Sequence, residues 1–286
     1  MKAALYSLGT PEQAILRAIH RYHYLTARQL ARLLYRPTSL NYVQEHLKLL
    51  TEAKFLVTRH LPRRQPKGST PYVYALGNKG AKALEQMGIE LPRAVKPSSI
   101  PTGELFLEHT LAVADTLIAI ERLSYVEPRI HVAGIQHERE LKAAPLPITL
   151  PGFGKSKVAP DGFVEVHIDG QWREGIWLEV DRGTEEQPAW RRKVRAILAA
   201  SRGPYQEYFG INSLTVAVVA MTGPVRRDTL RRWSEAEVGD SPEDADLFRF
   251  ASGAAIEDAE NLFLGPNWFR PGGSEPIPLF TLDDGG

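Results

Sequence analysis

Between Pro11 and Tyr22 the apolar positions Ile15, Leu16, Ala18 and Ile19 recur at helical spacing, and Pro11 suits a first turn. Thr26 is placed to cap a second helix, Ala27 to Tyr35, with Leu30, Leu33 and Leu34 inward. Pro37-Thr38-Ser39 opens a third, in which Leu40, Val43, Leu47 and Leu50 share one face. An apolar strand follows, Lys54 to Leu61, then a turn-rich segment, Pro62 to Pro71, and a second strand, Tyr72 to Leu76. Asn78 caps a fourth helix running to about Met87. Three short helices and a basic-tipped hairpin are the order of a winged helix-turn-helix.

Beyond this point the pattern changes. Ile89 to Thr102 carries three prolines, two adjacent serines and no helical period, and reads as an interdomain linker. Gly103 to Ser124 is a long helix with Leu105, Leu111, Val113, Leu117 and Ile120 among its apolar positions. Pro145-Leu146-Pro147 and the stretch Gly152 to Lys157 mark a loop. Two runs then alternate with period two, as half-buried strands do: Ala159 to Ile168 and Gly175 to Asp181. Asp169-Gly170 between them is a hairpin turn signal. Val164, Val166 and Ile168 form one face of the first strand, and Ile176, Leu178 and Val180 one face of the second. These faces coincide only if a loop from Asp169 to Gln171 sets Val164 against Ile176 and Asp161 against Glu179, because a one-residue slip would mix them.

Thr184 and Gln187 have capping-box spacing for a helix running to about Arg202, which Gly203-Pro204 ends. Ser213 to Met221 is a nearly continuous apolar strand suited to the centre of a sheet. Pro224 to Glu237 is a further helix, and Gly265 to Leu282 reads as irregular chain rich in Gly and Pro. The fold class expected is α+β to α/β. It comprises a winged helix-turn-helix over 1–88, a linker over 89–102 and a restriction-endonuclease-like mixed-sheet domain over 103–286.

Charge sharpens this division. The first hundred residues hold 16 Lys and Arg against 5 Asp and Glu, a net +11; the remainder hold 19 against 29, a net −10. The overall +1 conceals a polyanion-binding module joined to something else. A chain without cysteine has no disulfides, thiolate zinc sites or cysteine nucleophiles. With no signal-peptide core after Met1 and no apolar run of membrane length, the expectation is a cytoplasmic protein that does not engage membranes.

Duplex DNA is the partner this basic half suits. A helix fits the major groove with its N-terminal residues at base edges. Burying Leu40, Val43 and Leu47 leaves Thr38, Asn41, Tyr42 and Glu45 outward, with Asn41 able to make a bidentate contact to adenine. Arg36, Lys48, Arg63, Arg64 and Lys67 are candidate phosphate contacts, which position without specifying.

The acidic hairpin suggests different chemistry. The predicted register places Asp161, Glu179 and Asp181 on one face, and opposed carboxylates need a cation, a shared proton or a basic partner. Mg²⁺ or Mn²⁺ suits Asp161 and Glu179, with Glu108 of the preceding helix as a third ligand. Solvated strand ends, or pairing with Arg182 and Arg191, are the alternative. The order helix, acidic hairpin, helix, buried strand is that of the PD-(D/E)XK nuclease core, here Pro160-Asp161 followed by Glu179-Val180-Asp181. Asp181 occupies the position where that pattern has lysine, and Lys193, one helix later, is the residue able to supply an ammonium. The catalytic candidates are therefore Asp161, Glu179, Asp181 and Lys193.

Leu107-Glu108-His109-Thr110-Leu111, Pro160-Asp161-Gly162, Leu178 through Glu185, Lys193 and Gly265-Pro266-Asn267-Trp268 also resemble the replication-relaxation proteins of plasmids, phages and other mobile elements. The resemblance implies DNA binding tied to replication or control of such an element, and a nuclease-like C-terminal domain. Duplex-DNA binding in replication or transcription control is the leading expectation. The alternatives are a metal-dependent nuclease or nickase, for which the displaced lysine points to weak or no cleavage, and an adaptor that recruits a replication or transfer protein. Oligomeric state stays open, with a homodimer among the options.

Overall fold

The computed structural model describes residues 8–61, 70–91, 100–101 and 103–282. Arg63, Arg64 and Lys67 lie outside the described residues. Helices and a mixed five-stranded sheet make the class α+β. The chain divides into two units, Met1–Ala114 and Asp115–Gly286.

The first unit runs α1 (Thr10–Tyr22), β1 (Leu25–Thr26), α2 (Ala27–Leu34), a 3-10 turn (Pro37–Ser39), α3 (Leu40–Glu52), β2 (Leu56–His60), β3 (Tyr72–Leu76) and α4 (Asn78–Gln86). It ends in the first part of α5 (Glu104–Val126). Ile15, Leu16, Ile19, Leu30, Val43, Leu47 and Leu50 are fully buried, the faces their spacing predicts. The three strands form an antiparallel sheet in the order β1-β3-β2. Thr26 caps α2 through a reciprocal pair: its hydroxyl accepts from the Gln29 amide at 3.3 Å and its own amide donates to Gln29 Oε1 at 2.9 Å. At α4 the expectation fails, since the cap is Gly77 and Asn78 is already helical. The Gly77 amide donates to the Phe55 carbonyl at 2.8 Å, and a Cβ there would stand 2.8 Å from the Lys54 carbonyl. Backbone crowding selects glycine over a side-chain cap.

The second unit begins within α5 and continues through β4 (Ile130–His137), α6 (Glu138–Ala143), β5 (Leu146–Leu150), β6 (Gly154–Val158), β7 (Gly162–Ile168) and β8 (Trp172–Asp181). It closes with α7 (Gln187–Ser201), α8 (Pro204–Phe209), β9 (Leu214–Ala220), α9 (Pro224–Val238), α10 (Pro242–Leu247), β10 (Phe248–Ser252) and α11 (Ala259–Leu264). The main sheet has the order β10-β9-β8-β7-β4. Its β10-β9 and β9-β8 pairs are parallel, and its β8-β7 and β7-β4 pairs antiparallel. The β7–β8 register is the predicted one, with Val164 opposite Ile176 and residues 169–171 in the loop. Asp169 and Gly170 take positive φ, 52° and 67°, as that tight turn requires.

The half-buried reading of β8 is corrected, because every residue from Gly175 to Asp181 is buried. β8 is the middle strand, and both its faces are covered. Phe163 and Trp177 pack with Trp190, Val194 and Ile197 of α7 on one side. The second half of α5 lies on the other, so close that a Cβ on Gly162 would meet Leu117 at 3.1 Å.

Residues 145–157 are not a loop: β5 and β6 form a separate two-stranded hairpin, with Leu146, Ile148 and Leu150 turned inward. No Thr184 capping box forms; Glu186 is the cap of α7, and Pro188 sits in its first turn. Pro204 does more than end a helix, since it starts α8. β4 carries a bulge between Val132 and Gly134, which breaks the alternation a sequence reading needs, and β10 has only five residues. Among the described residues no helix is long and apolar enough to cross a membrane.

Candidate functional site

In the first unit, helix packing sorts α3 into two faces. Val43, Leu47 and Leu50 have no exposure, whereas Arg36, Thr38, Asn41, Tyr42, Glu45 and Lys48 are all exposed. The candidate base-reading side chains thus share the open side of one helix and the turn that leads into it. Tyr42 is held by edge contacts with Tyr35, at 5.4 Å between ring centroids, and with His46, at 4.4 Å. His46 is fixed in turn by Glu12 at 2.6 Å. Glu108, proposed from sequence as a metal ligand, is on the part of α5 that belongs to this unit.

The second unit gathers buried charge at the C-terminal end of β8. Asp161 precedes β7 by one residue and is seated by the backbone on either side of Glu179. Its amide donates to the Leu178 carbonyl at 2.9 Å, and its Oδ2 accepts from the Val180 amide at 2.9 Å. Glu179 is 2% exposed; its Oε1 accepts from Trp177 Nε1 at 2.8 Å and its Oε2 from Lys193 Nζ at 2.9 Å. Lys193 also pairs with Glu185 at 2.7 Å. The lysine expected to act from the next helix therefore reaches the carboxylate centre from α7.

Electrostatics follow from this packing. Burial pushes the Glu179 carboxyl up to about 7, with Lys193 pulling against it and the Asp161 charge adding to it. Burial also works against the Lys193 ammonium, yet Glu179, Asp161 and Glu185 outweigh it and raise Lys193 above its ordinary value. The lysine stays charged and Glu179 takes up a proton near neutral pH.

Asp181 is placed differently from its neighbours. Arg226 of α9 grips it through two nitrogens, at 2.7 and 3.0 Å, and the Gly183 amide donates to it at 2.7 Å. The Arg226–Asp181 hydrogen bond is the main cause of the raised Arg226 guanidinium. Asp181 anchors α9 to the end of β8, while Lys193 pairs with Glu179 and Asp161 is seated on the backbone beside it.

Sequence reasoning missed Glu138. It is the first residue of α6, 3% exposed, paired with Lys142, and one of its oxygens lies within 4.8 Å of an Asp161 oxygen. The signal was absent because β4 and α6 were both unread. Glu138 and Asp161 bring carboxylate oxygens within 4.8 Å of each other, the oxygen chemistry a hard divalent cation takes, while both oxygens of Glu179 already accept hydrogen bonds.

A family model described as replication-relaxation matches residues 16–215, which takes in both α3 and the Asp161–Glu179–Lys193 group. The Gly265-Pro266-Asn267-Trp268 segment lies beyond the matched range; Trp268 is fully buried and donates to the Leu262 carbonyl at 2.7 Å. No curated protein and no solved structure matches the chain.

Proposed function

This chain belongs to the replication-relaxation family, and on that premise we propose that it is a duplex-DNA-binding protein acting in the replication or control of a mobile element. The observation that carries the reading is the open face of α3, where Thr38, Asn41, Tyr42 and Glu45 stand between Arg36 and Lys48. Three helices followed by an antiparallel hairpin support a winged-helix reading of the first unit, with α3 in the major groove. Asn41 reads a base, and Arg36 and Lys48 hold phosphates. In a fluorescence-anisotropy titration the full chain should bind duplex DNA with an affinity that falls steeply with salt. Arg36→Ala with Lys48→Ala should flatten the log–log salt slope by about 1.8, from about 0.9 per phosphate contact. Salt-independent binding, or an unchanged slope, would overturn this reading.

A second reading, metal-dependent DNA hydrolysis, is favoured by the contact between Lys193 and Glu179. Asp161, Glu179 and Glu138 would hold the cation, which when bound supplies Lewis acidity and an activated water. Lys193 places a fixed ammonium where phosphate charge must be offset. Opposing this reading, both oxygens of Glu179 already accept hydrogen bonds, which suits a structural centre equally well. Plasmid nicking in Mn²⁺ that disappears with Glu179→Ala would establish it; an inert wild type would remove it and leave the DNA-binding reading intact.

A further inference from the structure

The β5–β6 hairpin leads directly into Asp161, and its two faces differ in character. Leu146, Ile148 and Leu150 are buried beneath it, whereas Pro147, Thr149, Lys155 and Lys157 are exposed. The register pairs Pro147 with Lys157 and Thr149 with Lys155, so all four side chains stand on the same outer face. Lys155 and Lys157 are two residues apart on one strand, roughly 6.6 Å, which lets each take its own anionic group. Neither has a carboxylate partner among the described residues, although the second half of the chain is acidic overall. A groove of about 420 Å³ runs beside them, lined by Thr149, Ser156 and Pro204 as well as the two lysines.

Phe153 stands at the hairpin tip, 74% exposed. Gly152 and Gly154 flank it with positive φ, 77° and 74°, and its amide donates to the Leu150 carbonyl at 3.0 Å. Two left-handed glycines make a turn that holds the aromatic ring out in solvent. A lone exposed aromatic needs no explanation. An aromatic on an exposed tip, with two unpaired lysines and two hydroxyl residues behind it on the same hairpin, has the composition of a single-stranded nucleic-acid platform. There cations follow the backbone and a ring stacks on an unpaired base.

We propose that the β5–β6 hairpin is a second DNA-contact element that holds a single strand, with Lys155 and Lys157 on phosphates and Phe153 against an unpaired base. The proposal is independent of the duplex contacts of α3. It gives the second unit a direct hold on DNA beside the Asp161 centre, where melted rather than paired strand is gripped.

The test uses the full chain and two fluorescein-labelled probes, a 20-residue oligothymidylate and a hairpin duplex. The wild type should bind the oligothymidylate. Phe153→Ala should weaken that binding by about tenfold, the equivalent of about 1.4 kcal/mol of stacking. Phe153→Trp should retain binding, because it keeps a π face. Lys155→Gln with Lys157→Gln should flatten the salt slope by about 1.4, at about 0.7 per single-strand phosphate contact. All these positions are exposed, so circular dichroism should show unchanged folding. Single-strand affinity within twofold of wild type in the Phe153→Ala and double-lysine variants would overturn the proposal. So would equal losses on the duplex, or a wild type that ignores the oligothymidylate. Loss of duplex binding by the wild type would instead strike the α3 reading, which keeps the two failures distinguishable.

Discussion

The open face of α3 and the centre around Glu179 use charge in opposite ways. Arg36, Asn41, Tyr42, Glu45 and Lys48 are exposed above a core formed by Val43, Leu47 and Leu50. Glu179, Asp161 and Asp181 are at most 6% exposed, and each is fixed by named hydrogen bonds. On α3 the fold supplies a platform and the chemistry stands outside it, so substitutions there should alter binding and leave stability unchanged. Around Glu179 the chemistry is part of the core, and the same kind of substitution should alter the fold's stability and its dependence on pH. Burial is the physical difference, because water screens the first set and is excluded from the second.

The largest effect expected from this contrast is at Lys193. Lys193→Ala removes the ammonium facing Glu179 and leaves a buried carboxylate beside Asp161 without its cation. Unfolding in urea at pH 8 should show a loss of about 3 kcal/mol, as when one partner of a buried pair is removed. A loss below about 0.5 kcal/mol would place the pair with surface ion pairs and dissolve the contrast.

The second effect is a pH dependence. Glu179 is raised in the folded protein from 4.5 to about 7, so across that window the folded state keeps a proton that the unfolded chain has released. Stability from this group therefore falls as pH climbs from about 4.5 to about 7 and falls no further above it. Glu179→Gln does not titrate, so its stability relative to wild type should rise across the same window, by on the order of 3 kcal/mol at most. Thermal melts at pH 4.5, 6 and 8 measure the difference. A gap that stays constant or shrinks with rising pH would contradict the buried, raised carboxyl.

The smallest effect belongs to the exposed face. Asn41→Ala should cost about 1–3 kcal/mol on a preferred duplex and little on random DNA, with no change in melting temperature. Equal losses on both DNAs would remove its base-reading role. A fall in melting temperature would show that α3 is not the passive platform its exposure implies.

How much of this was legible depends on how local each signal is. The helices of the first unit, the Thr26 cap and the α3 face follow from spacing within a dozen residues, and sequence carries such information directly. The β7–β8 register was legible for the same reason, because a three-residue loop and two apolar faces admit one pairing. Sequence also singled out Asp161, Glu179, Asp181 and Lys193 as catalytic candidates, and the fold buries the three carboxylates at one end of β8 with Lys193 paired to Glu179.

What only the tertiary structure decided is which charges meet. Asp181 looks like Glu179 in sequence, yet α9 brings Arg226 to it from 45 residues away and makes it an anchor. Glu138 carried no local signal, since its place beside Asp161 depends on a bulged edge strand. The β5–β6 hairpin hid behind three prolines and two glycines, which read as loop until cross-strand pairing supplies the backbone hydrogen bonds. Local periodicity fixes how a segment folds, and long-range pairing fixes what its charges face. The second outcome rests on contacts between residues whose separation in sequence leaves no pattern to read.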